Sequence, residues 1–420
     1  MSIPLDRLYH FIENIAKEIN DNIIIYRFYP YGSKKLEDLS ELCGPNTWQT
    51  KVLGSSIWCH DQEPLNYELY QHRSTTGKFA DLLQSVGITP NRGLPGFSTI
   101  YGKGYLLHSE KRSDEVIKYQ NSQVIPIYYW SHALIALDWF RFAQHIKQKK
   151  QIKNIFLIYS RAWGGTREYR LKFAELLIGL NLQTHCKTSV NPIEPGLGIH
   201  YSQHLFANPS WQPLCILEDH FPTNTATSHY SADFDITDYE ATDIEVVLET
   251  VFDDQRLHLT EKSLRPIACG QPFILAGTHG SLEYLRRYGF KTFGHIWDES
   301  YDLIENSKER LLAIADLMKI ISCWTPEERI NKLIEAQSVA DYNRQHFFSK
   351  EFFNQIVAEL QTNLTIALDQ EFDTTPYVDR WEQFLTYKEI QVYLESESDV
   401  FNPTMHQLDA VLKIAKKLQK

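Results

Sequence analysis

The sequence predicts an α/β protein with two domains built on parallel sheets, on the strength of three observations. Short β-branched or aromatic runs alternate with stretches of helical periodicity, a pattern typical of parallel sheets covered by helices. The alternation occurs twice, before and after a basic stretch at residues 147–153. The length of 420 residues also exceeds what a single hydrophobic core usually organises.

The N-terminal half carries the first set of elements. Residues 1–20 predict an amphipathic helix, because Leu8, Phe11, Ile12, Ile15 and Ile19 recur at helical spacing, and the charged residues among them argue against a signal peptide. Strands are expected at residues 22–29, 51–60, 103–109 and 123–130. An apolar helix is expected at 131–147, and His132 near its start is interpreted as a core histidine.

The second half repeats the pattern and ends in helices. Strands are expected at 154–160, near 181–187 and 213–218, and at 243–251, 271–277 and 290–293, with helices at 167–180, 260–270 and 280–289. Further helices are expected at 306–321, 326–346, 349–368, 378–395 and 405–419. We therefore expect two Rossmann-like domains facing a cleft, at residues 1–150 and 151–345, and a helical extension over 346–420 that packs back on the first. In such folds ligands bind at the carboxyl ends of the strands.

Composition narrows the classes of function. No apolar run reaches the ~20 residues that a membrane span needs, so no span is expected. The six cysteines are scattered without a CxxC pair, which favours reduced thiols and a cytoplasmic protein. A net charge of −11 argues against a protein that coats a long stretch of nucleic acid, although it is compatible with a local basic groove.

The segment 249–277 contains the strongest candidate for a binding site. Thr260 is a suitable N-cap, and Glu261 lies in the first helical turn, where the helix dipole stabilises a carboxylate. That helix N-terminus, with Lys262 beside it, suits a ligand with phosphates and ribose hydroxyls. Glu249 ends the preceding strand, and Gly270 is expected to end the helix.

A second candidate is the turn YSRAWGGTREYR at residues 159–170. An arginine in such a turn can contact a diphosphate through two parallel hydrogen bonds. Arg161 is the first choice and Arg167 the second. Arg170 is a third candidate, with a solvent-facing helix residue as the alternative interpretation.

The string E…TEKxxxPIAxGQPFILxG, followed by GSLEYLRRYGFKTF and DESYD, resembles the donor-binding half of GT-B glycosyltransferases. The likeness is to the α-1,3-fucosyltransferase family and to uncharacterised phage and bacterial relatives, and it covers residues 155–310. It implies that Glu249, Glu261 and Lys262 contact a sugar nucleotide and that an arginine near 161 binds its phosphates. The family's usual donor is a guanosine-diphosphate sugar.

The resemblance implies a hexosyl- or pentosyltransferase that moves a sugar from a nucleotide-diphosphate donor to a hydroxyl acceptor. GT-B enzymes usually stabilise the leaving diphosphate with basic residues, so neither a metal nor a further cofactor is expected. The acceptor would be a glycan or another small hydroxylated compound, in the cytoplasm of a bacterium or a phage-infected host. The alternatives are a phage-type DNA glycosyltransferase acting on a hydroxymethylated base and a non-catalytic sugar-nucleotide-binding protein.

The catalytic base is sought in WCHDQEPLNYELY, residues 58–70, where a buried strand runs into polar residues. Glu63 or Asp61 would take the acceptor's proton, with His60 as orienter or alternative. The competing interpretation is a loop whose polar side chains cap the next helix. His108, Ser109 and Glu110 end another strand in the same way, while Asp298, Glu299 and Asp302 either contact a ligand or cap a helix.

Overall fold

The computed structural model describes residues 11–12, 14–19, 24–27, 56–60, 64–67, 104–121, 124–215, 217 and 234–369. The chain divides into two compact units, one comprising Met1–Ser109, Ser113–Ser131 and Val357–Lys420, the other Glu110–Arg112 and His132–Ile356. Both units are built on parallel sheets, so the protein is a mixed α/β protein, as the sequence predicts.

The described residues of the first unit form a four-stranded parallel sheet with strands in chain order. Its strands are β1 (Ile24–Arg27), β2 (Ser56–His60), β3 (Gly104–His108) and β4 (Val124–Tyr128), and helix α1 (Asp114–Asn121) connects the last two. Tyr105, Leu106 and Leu107 of β3 are fully buried, as expected for a strand covered on both faces. Residues 14–19 are helical, and Ile15 and Ala16 are buried, which confirms the amphipathic pattern over that stretch.

The second unit contains a parallel sheet of order β10-β9-β5-β6. Its strands are β5 (Asn154–Ser160), β6 (Cys186–Val190), β9 (Thr242–Leu248) and β10 (Phe273–Ala276). A small antiparallel pair, β7 (Ile193–Glu194) and β8 (Ile199–His200), follows β6. Residues 155–160 of β5 and 244–248 of β9 are buried without a break, because helices cover both faces of a doubly wound sheet.

Within the described residues, the helices that follow α1 have these bounds. They are α2 (Ser131–Trp139), α3 (Tyr169–Gly179), α4 (Ile236–Glu240), α5 (Glu261–Cys269), α6 (Ser281–Arg287), α7 (Ser307–Ser322), α8 (Pro326–Phe347) and α9 (Lys350–Leu368). Gly270 ends α5 in the left-handed conformation with φ of 67°, as the sequence predicts. Within the first unit, the Asn363 side chain of α9 donates a hydrogen bond of 2.7 Å to the carbonyl of Tyr128, at the end of β4.

Several sequence predictions need correction. The strand expected near 181–187 lies later, at Cys186–Val190, after a single 3-10 turn. The described residues near 213–218 and those at 290–293 form no strand. The helix expected over 131–147 ends at Trp139 and continues as a 3-10 turn, Arg141–His145. The helices expected at 378–395 and 405–419 lie outside the described residues.

Two expectations from composition can be compared with the structure. Cys186, Cys215, Cys269 and Cys323 carry free thiols. Within the described ranges, none of the helices combines the length and the apolar content that crossing a bilayer requires.

Candidate ligand-binding site

The strand order of the second sheet creates a crevice at its carboxyl end. β6 lies on one side of β5 and β9 on the other, so the winding direction reverses between β5 and β9. Loops that leave a parallel sheet in opposite directions open a gap, and α/β proteins bind ligands at such points. The loop from Arg161 to Glu168 follows β5, and the segment from Glu249 to Thr260 follows β9. The fold therefore brings together the two segments that the sequence singles out.

Hydrogen bonds connect these two loops directly. The hydroxyl of Thr166 donates to the carbonyl of Thr250 over 2.7 Å. The hydroxyl of Tyr169 donates to the carbonyl of Glu249 over 2.7 Å. The β5 loop is thus fixed against the end of β9 by side chains on either side of Arg167.

Arg170 also joins the loops, and the interpretation of this residue as solvent-facing is wrong. Its side chain is buried, with 3% of the residue exposed. The guanidinium donates to the carbonyls of Ala162, at 2.7 Å, and of Leu248, at 2.6 Å. Since these bonds are internal, Arg170 organises the site without a ligand.

The backbone of the β5 loop, which carries Arg161 and Arg167, is held by the carboxylate of Glu194. Glu194 Oε2 accepts hydrogen bonds from the backbone nitrogens of Trp163, at 2.6 Å, and Gly164, at 2.8 Å. Two adjacent amides of this kind can bind an anion, and here both donate to Glu194. Arg161 is exposed and Arg167 is half-buried. Phosphate groups at this loop would therefore be bound by arginine side chains, since the two amides already have an acceptor.

Glu249 is fully buried at the end of β9, and both its carboxylate oxygens are engaged within the protein. Oε1 accepts from the backbone nitrogens of Thr260, at 3.0 Å, and Ser263, at 3.2 Å, and from the Ser263 hydroxyl. Oε2 accepts from the Thr260 hydroxyl, at 2.7 Å, and from the Thr250 nitrogen, at 3.1 Å. Glu249 thereby fixes the start of α5 through amides that a helix N-terminus leaves without an intrahelical partner.

The first turn of α5 holds a buried ion pair. Thr260 is the N-cap, as predicted, with its hydroxyl oxygen 3.3 Å from the Lys262 nitrogen. Lys262 Nζ lies 2.7 Å from Glu261 Oε1, and 12% of the Lys262 side chain is exposed. Burial alone would raise the pKa of Glu261, but Lys262 and His132 outweigh it and hold that pKa well below its ordinary value. Glu261 is therefore ionised and accepts hydrogen bonds without donating any.

Two buried histidines adjoin this pair, and the sequence did not reveal the arrangement. His132 Nδ1 lies 3.2 Å from Glu261 Oε2. The rings of His132 and His258 meet edge to face, with centroids 5.2 Å apart. Burial, with His132 and Arg256 as further causes, lowers the pKa of His258 well below its ordinary value, so that His258 is neutral. His258 precedes Thr260 by two residues, so its position in the sequence could have indicated that it lies near the site. Nothing in the sequence connects His132 to Glu261.

The loop after β3 pairs with the segment before α5. The backbone nitrogen of Lys111 donates to the carbonyl of Leu257 over 2.9 Å, and Glu110 Oε1 lies 2.5 Å from an Arg256 guanidinium nitrogen. Arg112 donates to the carbonyl of His279 over 2.9 Å. Glu110, which the sequence places at the end of a strand, thus pairs with Arg256 of the segment that leads into α5.

The predicted catalytic residues are described only in part. His60 is the last residue of β2, with its backbone in register with that of His108 on β3. Asp61 and Glu63 lie outside the described residues. The assignment of the base to this loop stays a prediction.

The acidic string at 298–302 has capping and bracing contacts. Asp298 accepts hydrogen bonds from the nitrogen and the hydroxyl of Ser300. Glu299 Oε1 accepts from the nitrogen of Phe293 over 2.7 Å, and Asp302 Oδ2 from the nitrogen of Leu282 over 3.0 Å. Asp302 therefore caps the first turn of α6, and its burial raises its pKa to about 7.

No family model, curated protein or solved structure matches the chain. Among the described residues, no group of three or more histidine, cysteine, aspartate or glutamate side chains is arranged to hold a metal ion.

We expect Asp302 to make stability depend on pH. Its pKa is about 7 in the fold, above the ordinary 3.8, so the folded state holds a proton that the unfolded state releases. This contribution is complete at low pH and is lost as pH rises to about 7, by up to roughly 4 kcal/mol. Urea unfolding of Asp302→Asn should show a flatter decline between pH 5 and 7.5 than the wild type. Asp298→Asn is the control, because hydrogen bonds from Ser300 lower the pKa of the Asp298 carboxyl; this variant should lose stability with pH as the wild type does. An equal pH dependence of stability in all three proteins would contradict the raised pKa of Asp302.

Glu249→Gln should destabilise the fold by about 2–3 kcal/mol. Backbone N–H groups face both carboxylate oxygens, so the new amide NH₂ opposes a donor in either orientation. Urea unfolding at pH 7 measures the loss. Glu283→Gln, on the exposed face of α6, serves as the control and should stay within about 0.5 kcal/mol of wild type. An unchanged free energy of unfolding in Glu249→Gln would refute its bracing role.

Proposed function

We propose that the chain is a GT-B-like glycosyltransferase whose nucleotide-diphosphate sugar binds at the carboxyl end of the second sheet. The observation that carries the proposal is a continuous series of hydrogen bonds between the two candidate segments. Thr166 of the arginine loop bonds to Thr250, the Thr250 nitrogen bonds to Glu249, and Glu249 bonds to Thr260 at the start of α5. One hydrogen-bonded frame thus connects an arginine loop with a helix N-terminus at a topological switch point.

The chemistry of the frame suits a ligand with both phosphates and hydroxyls. Arg161, Arg167 and Lys262 supply cations for a diphosphate, with the positive end of the α5 dipole beside Lys262. Glu261 is ionised, so it accepts hydrogen bonds from hydroxyls such as those of a ribose or a sugar. A nucleoside diphosphate that carries a sugar combines these two kinds of group in one molecule.

The same cations would support the transfer step. When the acceptor oxygen attacks the anomeric carbon, the bond to the diphosphate breaks and negative charge develops on the leaving group. Basic side chains and a helix N-terminus that are already in place stabilise this charge. The acceptor's proton needs a base, which we assign to Asp61 or Glu63 beyond β2, with His60 as orienter or alternative. The acceptor is then a hydroxylated molecule, such as a glycan.

Nucleotide binding should be detectable by thermal shift and calorimetry with a panel of nucleoside diphosphates and sugar nucleotides. A ligand at about 100 times its Kd stabilises the folded state by about 2.7 kcal/mol. Lys262→Gln and Arg161→Gln should each weaken the best ligand tenfold or more, as expected for charge-assisted hydrogen bonds. Arg329→Gln, whose guanidinium pairs with Asp243 outside the candidate site, is the charge-matched control and should bind as wild type does. Failure of every panel member to bind would refute the donor site.

Turnover distinguishes a transferase from a binding protein of the same fold. With the donor identified, we expect Glu63→Gln or Asp61→Asn to lower kcat by about a hundredfold or more while the donor Kd changes little. Release of the nucleoside diphosphate, with and without acceptor hydroxyls, measures this. Full turnover in both variants would overturn the assignment of the base, and tight binding without turnover in the wild type would favour a non-catalytic sugar-nucleotide-binding protein.

A further inference from the structure

His132 has an unusual environment for a buried polar side chain. Only 2% of the residue is exposed. Neither ring nitrogen meets full hydrogen-bond geometry: Nδ1 lies 3.2 Å from Glu261 Oε2, and Nε2 has no hydrogen-bond partner within the part of the chain that the structure describes. A buried ring nitrogen without a hydrogen-bond partner costs free energy, which makes a purely structural role a poor explanation for His132.

The surroundings of His132 explain why the ring lies beside Glu261. Glu261 is its anionic neighbour, Lys262 is a cation on the same turn, and His258 faces its ring. Arg256, which lowers the pKa of His258, is itself paired with Glu110. A carboxylate beside an imidazole nitrogen favours the tautomer that carries hydrogen on that nitrogen. Nδ1 of His132 is therefore the side of the ring that interacts with Glu261.

The Glu261 carboxylate has a contact on each oxygen, and a ligand would displace one of the two. His132 approaches Oε2, while Lys262 approaches Oε1 at 2.7 Å. In the proposed function Lys262 binds phosphate, and a bound diphosphate competes with Glu261 for the ammonium group. Once Lys262 turns to the ligand, Oε1 is left to accept a hydroxyl, and among the described residues His132 is the contact that keeps the carboxylate in place.

We propose that His132 is a positioning residue of the nucleotide site, which holds Glu261 through Nδ1 while the ligand draws Lys262 away. This inference rests on the proposed function, because it assumes a ligand with phosphates and hydroxyls at the start of α5. The inference assigns a role in the nucleotide site to a residue outside the two candidate segments. It also predicts that Nδ1, and not Nε2, is the imidazole atom on which binding depends.

Three substitutions of His132 distinguish the contributions of Nδ1, of Nε2 and of the ring's shape to binding. In His132→Asn the amide NH₂ takes the place of Nδ1, in His132→Gln the amide reaches the place of Nε2, and His132→Phe keeps only the ring. Calorimetry with GDP, UDP and ADP gives the Kd of each variant, and urea unfolding gives its stability. Thr325→Ala, which removes the capping box of α8, is a control that lowers stability by about 1 kcal/mol.

The proposal predicts that His132→Asn binds the best of these nucleotides within about threefold of wild type, whereas His132→Phe and His132→Gln lose tenfold or more, as for a hydrogen bond to a charged group. Thr325→Ala should bind as wild type does, which shows that lower stability alone does not weaken binding. Wild-type affinity in His132→Phe would overturn the proposal, and so would rescue by Gln in place of Asn, because it would indicate direct contact through Nε2. Absence of binding by the wild type would refute the proposed function and this inference together.

Discussion

The buried carboxylate of Glu249 is the constraint on which the candidate site depends. It lies at the end of β9 with no exposed surface and accepts hydrogen bonds from Thr250, Thr260 and Ser263. These contacts fix where α5 begins and therefore where Glu261 and Lys262 lie. Burying a charge is costly unless hydrogen bonds satisfy it, so a carboxylate in this position specifies one geometry of the loop.

Two further carboxylates hold loops on the second unit in the same way. Glu194 accepts from two successive amides of the loop after β5, and Glu168 accepts from the amides of Ala207 and Asn208. Each satisfies backbone donors that an irregular loop would otherwise leave buried without a partner. The protein's own anions thus organise the backbone at this edge. The cations Arg161, Arg167 and Lys262 are the groups whose chemistry suits a phosphorylated ligand.

The sequence predicts the mixed α/β class and several element bounds from local patterns. The runs NIFLIYS and QPFILAG form strands as expected, because continuous burial leaves a clear local signal, and Thr260 and Gly270 bound α5 because capping chemistry is local. The strand expected near 181–187 begins later because the polar residues Gln183–His185 form a 3-10 turn, which precedes the polar edge strand β6. Local patterns record propensity, and tertiary pairing overrides it at sheet edges.

The sequence singles out segments of the candidate site but not the contacts of their residues. Arg170 at the start of α3 and Glu249 at the end of β9 both make internal hydrogen bonds, and no single-sequence signal distinguishes a brace from a ligand contact. The pairing of His132 with Glu261 joins residues more than a hundred positions apart, and neither lies in a pattern that indicates the other. Such contacts arise from the winding of the chain, which periodicity and capping do not encode.

The central claim is that a nucleotide binds where the loop after β5 meets the start of α5. Hydrogen–deuterium exchange with and without saturating nucleoside diphosphate tests this most directly, because it reports protection of backbone amides segment by segment. Slower exchange is expected in peptides covering residues 161–170 and 250–264, with little change in α7 and α8. Protection elsewhere in the chain, with these two segments unaffected, would contradict it.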